Sequence, residues 1–222
     1  WYLFGLNTDR FALKHFLSGM TMGFIPMILF LCIFYAVGTE ISITGYFSID
    51  IFINGFILIL SLSALEELFF RGIIFQALAE KFGFALPAVV LSLIFSSLHF
   101  FPFEFKLLPF LNTFLAGILF SIMYVRTKSL ILPISFHFSW NFFQTALLDL
   151  PVSGNYLNLH VLVFKNHDAS KILFGGLYGV EGGLVTTLFL LMLTAFTLKF
   201  NASPRLTSKI FKRNYAESSL IS

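Results

Sequence analysis

Six apolar stretches, at residues 17–37, 51–78, 85–101, 107–125, 129–148 and 183–198, are separated by polar links. About 20 apolar residues in a helix cross the hydrocarbon of a bilayer, and most of these stretches approach or exceed that length. Inside lipid every backbone N–H and C=O must be satisfied within the protein, so such segments form helices. The pattern therefore predicts an all-α, polytopic membrane helix bundle of about six transmembrane helices. Residues 51–78 are longer than a perpendicular crossing needs and are expected to tilt or to end in the interface. The third stretch is short and carries His99 just before Pro102. The division is an N-terminal segment (1–16), an integral-membrane domain (17–198) and a basic tail (199–222).

Composition sharpens the picture. Hydrophobic residues are 58% of the chain and charged residues 11%, with 32 Phe. So few charges cannot cover a water-soluble domain, which makes this an integral membrane protein. The single Cys32 lies in an apolar run, which excludes an internal disulfide and gives no reason to expect a thiol nucleophile. No Cys/His cluster suggests a structural zinc knuckle. The net charge of +3 comes from residues in links and tail, which form no stripe for nucleic acid.

Alternating six spans from a cytoplasmic N-terminus puts Arg10, Lys14, Lys81, Arg126, Lys128 and five tail residues inside. Only Lys106, Lys165 and Lys171 then fall outside, and Arg71 lies within a span. That asymmetry predicts an N-in, C-in orientation. A chain opening on Trp1 without an initiator Met reads as an N-terminally truncated piece. The first apolar run is long enough to span, so it is not a cleavable signal peptide.

Against this background, the ionisable residues inside the spans stand out. Each charge near a helix centre costs roughly 2.5–3.5 kcal/mol on insertion scales, so it must be paired, face a polar cavity or do chemistry. Glu67 and Arg71 are four apart with the acid N-terminal, the favourable order for an ion pair on one helix face. Glu66 is turned about 100° away and has no local counter-ion. A carboxylate so placed is either a hydrogen-bonded structural acid or a general base. His99 ends the third stretch. His137 and Asn141 share a face of the fifth, where such a pair either bonds neighbouring helices or serves a site. One Glu, two His and one Asn from three segments supply what is needed to deprotonate water and stabilise an oxyanion.

These residues carry a resemblance. Glu66-Glu67-Leu68-Phe69-Phe70-Arg71 reads E-E-x-x-x-R, Phe95 to His99 reads F-x-x-x-H, and His137 to Asn141 reads H-x-x-x-N. In that order, on separate apolar segments, they resemble the CPBP family of CAAX-processing and bacteriocin-processing or self-immunity membrane proteins, also called Abi. The Gly-rich 175–183 stretch is similar to many bacterial members. The resemblance implies intramembrane peptide-bond hydrolysis. Glu66 would activate water with help from His99, His137 and Asn141 would stabilise the oxyanion, and Glu67 with Arg71 would shape the site. It also implies a membrane-embedded or membrane-associated peptide substrate, the lipid bilayer as surroundings and the bacterial inner membrane as location.

No cofactor is certain. Glu66, His99 and His137 offer a His₂Glu set for zinc or another divalent metal, while the H-E-x-x-H of zinc proteases is absent. A glutamate-activated water without metal is the favoured alternative. Two other classes stay open: a non-catalytic immunity or interaction protein on the same scaffold, and a small transporter whose intramembrane acids carry ions. Two similar halves would mark the transporter, and the chain shows none. Depth is a further difficulty. In an alternating bundle His99 lies farther along its helix than His137, so the third span must tilt or start deeper for the two to meet.

Overall fold

The computed structural model describes residues 6, 11–43, 48–99, 106–148, 150–157, 159, 162–165 and 171–199. The tail beyond 199, Asp9, Arg10 and Pro102 lie outside the described residues.

The architecture is a polytopic helix bundle. Helix α1 (Ala12–Ala36) leads to β1 (Glu40–Ile43) and then α2 (Ile49–Glu67). A π-helical stretch, Leu68–Ile74, continues α2 directly into α3 (Phe75–Phe82). Then come α4 (Ala85–His99), α5 (Leu107–Thr127), α6 (Ile131–Leu148), β2 (Leu162–Lys165), the short α7 (Lys171–Phe174) and α8 (Leu184–Leu198). Each expected apolar stretch is helical, with shifted ends: α1 starts at Ala12, inside the segment assigned to the N-terminal region. Three helical stretches, Ala12–Ala36, Ile49–Phe82 and Leu107–Thr127, are long and apolar enough to cross a bilayer. Helices α4 and α8 are shorter apolar helices.

The all-helical expectation gains one detail. Strands β1 and β2 pair antiparallel, Glu40 opposite Lys165 through Ile43 opposite Leu162. The ribbon ties the α1–α2 link to the α6–α7 connection, so both lie on one face of the bundle.

Helix α6 is the axis. Thirteen of its 18 residues are buried, so it needs little lipid-compatible surface and can carry His137, Ser135, Ser139, Asn141 and Gln144. The long α2–α3 rod is the opposite case. Leu62, Leu65, Phe69 and Ile73 are 46–62% exposed and form its lipid face.

Lipid removes the hydrophobic drive for helix pairing, so close backbone approach and hydrogen bonds take over. Gly19 and Gly23 of α1 lie directly on α6: a Cβ at Gly23 would sit 2.7 Å from Ser139 Cβ and from Trp140 N, and one at Gly19 would overlap Ser135 Oγ. Ser139 Oγ donates to the Met20 carbonyl at 2.7 Å. On the other flank α2 meets α6 through aromatic edges, Phe56 against Phe138 and Phe142 at 4.9 and 5.4 Å between ring centres. Helix α4 settles on α5 where Gly117 faces Ser92 and Ser96 Oγ donates to Phe110 O at 2.6 Å.

Gly23→Leu is expected to destabilise the bundle by about 1–3 kcal/mol, the usual cost of overpacking. A thermal melt in detergent with size-exclusion chromatography measures this. Leu29→Ala, on the 43%-exposed face of the same helix, is expected to melt like the wild type.

Candidate active site

Glu67 is the hub. It ends α2 with a side chain fully buried, as is that of Arg71 in the π-helical stretch. Arg71 Nη1 donates to Glu67 Oε1 at 3.1 Å, and Nη2 donates to the Gly117 carbonyl of α5 at 3.0 Å. The guanidinium carbon lies 4.9 and 5.0 Å from the ring centres of Phe95 and Phe120, within cation–π range. A guanidinium in the protein interior is therefore met by a carboxylate, a carbonyl and two aromatic faces from three helices.

The expected Glu67–Arg71 pairing is present, but the local helix is not the uniform α-helix that the 100° step assumes. From Leu68 to Ile74 the bonds follow the wider π pattern, closed by Phe75 N–H on Phe70 O. Such stretches recur at functional sites.

The same Glu67 Oε1 also takes a hydrogen bond from His137 Nδ1 of α6, at 3.2 Å. Because a carboxylate held by arginine accepts only, Nδ1 carries the proton. The other ring nitrogen, Nε2, points at Glu66 Oε2, 3.8 Å away. His137 thus lies between adjacent carboxylates: Glu67 is fully buried, and Glu66 keeps 35% of its side chain accessible. Sequence reasoning gave Glu67 only the arginine; it missed the link to His137, which depends on how α2 and α6 face each other.

His99, His137 and Asn141 line one cavity of about 50 Å³ together with Phe95, Phe120, Phe136 and Trp140. The depth mismatch between His99 and His137 is resolved in the packing of α4 on α5, which brings the end of α4 to the middle of α6. His99 Nδ1 donates to the Phe95 carbonyl at 2.8 Å. In the neutral ring this leaves Nε2 as an acceptor.

A carboxylic acid that sequence reading passed over also lines this cavity. Glu181 lies in the Gly-rich loop before α8 and borders the cavity with Ser153, Asn112 and Thr113. Its Oε2 accepts from Ser153 N–H at 2.6 Å and from Ser153 Oγ at 3.0 Å. Asn112 Nδ2 of α5 holds the loop backbone through Glu181 O and Gly183 O, at 2.7 and 2.9 Å. Gly179, at φ +95°, packs so tightly on Pro151 that any Cβ would overlap its carbonyl. The signal was available in the sequence: an acid between glycines, directly before an apolar run, with no basic neighbour. Burial pushes the Glu181 carboxyl up to about 7, against the pull of its Ser153 bonds and of His137.

Among the described residues no three His, Cys, Asp or Glu side chains are grouped so as to hold an ion.

Arg71→Ala leaves Glu67 as an uncompensated buried charge and is expected to cost about 3–5 kcal/mol. Glu66→Gln should change stability by less than about 1 kcal/mol, and thermal melts distinguish the two. The raised carboxyl of Glu181 also sets a pH trend. The folded state keeps a proton that the unfolded chain loses above its ordinary 4.5, so wild-type stability falls as pH rises from about 4.5 to about 7. After allowing for its partial exposure, the wild type should lose about 1–2 kcal/mol relative to Glu181→Gln across that window, read from paired melts.

Comparison with known proteins fits this geometry. Residues 48–143 match the model of the Rce1-like family, described as type II CAAX prenyl endopeptidase Rce1-like. That range contains Glu66, Glu67, Arg71, His99, His137 and Asn141. A curated protein of Bacillus subtilis (strain 168), named "Putative membrane peptidase YdiL", is 32% identical over 114 residues, 51% of this chain and 42% of that relative. The match thus spans less than half of the relative's length. No solved structure matches. Taken with the three motifs, these matches make residues 48–143 similar to the Rce1-like endopeptidases and to a membrane peptidase-like protein.

Proposed function

We propose that the protein is an intramembrane endopeptidase that hydrolyses a peptide bond in a membrane-associated substrate, using water activated by Glu66. The observation carrying this reading is the 3.8 Å approach of Glu66 Oε2 to His137 Nε2, beside a cavity shared by His99, His137 and Asn141. One water can touch both Glu66 and His137. Glu66 takes its proton as the oxygen attacks the carbonyl carbon, and His99, through its acceptor nitrogen, helps to orient that water.

Charge then develops on the carbonyl oxygen. The Asn141 amide, one turn beyond His137, offers N–H donors to it, and His137 adds a donor when Nε2 is protonated as well. Glu67 and Arg71 do not meet the substrate. Glu67 fixes the His137 ring by binding Nδ1–H, and Arg71 fixes Glu67.

The steps above are carried by Glu66, His99, His137 and Asn141 themselves, and the chelator arm of the test below decides whether a metal takes part. The asymmetry of the basic links supports a cytoplasmic N-terminal side of α1 and α5–α6 turn in a bacterial inner membrane, with the substrate reaching the cavity from the bilayer. A membrane-protein segment or leader peptide fits this setting, as does the prenylated CAAX class named in the matching family.

The test is cleavage of a peptide panel by purified protein in proteoliposomes, with and without EDTA. The panel holds single-span leader-type peptides and a farnesylated CAAX-terminated peptide. Cleavage that resists the chelator is expected, with a fall of at least about 10²-fold in Glu66→Gln, His99→Ala and His137→Ala while all three still insert and fold. Full activity of Glu66→Gln would instead support a non-catalytic scaffold. Loss of activity with EDTA, restored by zinc, would require a metal mechanism.

A further inference from the structure

Hydrolysing an amide needs a proton for the departing nitrogen as well as a base for the water. Among the described groups around the cavity, most titratable side chains are already committed. His137 gives Nδ1–H to Glu67 and faces Glu66 with Nε2. His99 gives Nδ1–H to Phe95 O, so its neutral ring meets the cavity as an acceptor. Tyr178, in the loop beside Glu181, is pushed up to about 12 by burial and holds its proton throughout the working range. It is not among the residues bordering the cavity. Glu181 is the acid that remains.

Its position is unusually well defined for a loop residue. Asn112 binds the Glu181 carbonyl and that of Gly183 two residues on, and Thr187 Oγ1 in turn holds Asn112 Oδ1 at 2.7 Å. Thr186 Oγ1 bonds the carbonyl of Val180 just before it. Helices α5 and α8 thus present one carboxyl to the cavity that His99, His137 and Asn141 also border.

We propose that Glu181 is a further catalytic residue, the general acid that protonates the leaving amine. This role rests on the endopeptidase reading above. In the first step a water O–H bond breaks, its proton goes to Glu66, and the new C–O bond forms as the carbonyl π pair moves to oxygen. In the second step the C=O bond re-forms, and the C–N bond breaks with its electron pair going to nitrogen. That nitrogen takes the proton from the Glu181 carboxyl. Proton return from Glu66 to Glu181 through cavity water restores both groups. With its carboxyl at about 7, Glu181 is protonated below neutrality, so the rate it supports declines as pH rises past that point. His99 and His137 face it across the cavity and titrate as well, so the pH profile needs a second, chemical readout.

The experiment compares wild type with Glu181→Gln and Glu181→Asp on whichever panel peptide is cleaved fastest, and on the same peptide with an ester at the scissile bond. Gln keeps an acceptor for Ser153 N–H but has no acidic proton, and an ester's alkoxide leaves with far less need of one. Glu181→Gln is expected to fold, to keep KM within about threefold and to lose at least about 10²-fold in kcat on the amide. It should lose less than about tenfold on the ester and should no longer show the decline above about pH 7. Glu181→Asp should recover part of the amide activity. Equal losses on amide and ester, or no loss on either, would overturn the role of Glu181 while leaving a Glu66-dependent peptidase in place. If the wild type cleaves neither, the endopeptidase reading fails and the proton-donor role fails with it.

Discussion

The whole site hangs on one shared oxygen. Glu67 Oε1 takes Arg71 from one side and His137 from the other, at 3.1 and 3.2 Å, with no side-chain surface of Glu67 or Arg71 exposed. Burying any one of these groups alone would be prohibitive, because the interior supplies no water to solvate a lone charge. Together they lock α2, α5 and α6 at one level, since Arg71 also reaches the Gly117 carbonyl. This buried ion pair acts as a positioning device. It turns the His137 ring so that Nε2, and not Nδ1, meets Glu66.

The adjacent acids of the E-E motif consequently do opposite things. Glu67 is withdrawn into the protein and neutralised, whereas Glu66, one residue earlier, stays partly accessible with the His137 imidazole 3.8 Å away. The π-helical stretch begins immediately after them and carries Arg71. A fold that places one carboxylate where it cannot react and its neighbour where it can has separated structural from chemical roles over a single peptide step. On the far side of the cavity, the glycine-rich loop adds a carboxyl with a different environment. It is tied to Ser153, and burial, not a counter-ion, governs its protonation.

Much of this was legible in the chain. Runs of apolar residues gave six helical stretches, because lipid leaves the backbone few other ways to satisfy itself. The three motifs gave the polar residues that converge. What stayed hidden depended on relations between helices. Gly19 and Gly23 form a small-residue stripe whose meaning appears only when Ser135 and Ser139 lie opposite. The Glu67–His137 bond joins residues 70 apart and has no local signature. Glu181 reads locally as a loop acid, and only the packing of Ser153 and the 176–183 loop against α5 and α6 makes it a cavity residue. The β1–β2 ribbon was missed for the same reason, as its strands lie in two distant links.

The central claim is that Glu67 fixes the tautomer and orientation of His137, and it can be read without any substrate. Solid-state ¹⁵N NMR of histidine-labelled protein in bilayers, with His137 assigned from its loss in His137→Ala, reports which ring nitrogen carries the proton. The account predicts a protonated Nδ1 in the wild type that changes its shift in Glu67→Gln. An unprotonated Nδ1, or a His137 signal indifferent to Glu67, would contradict it.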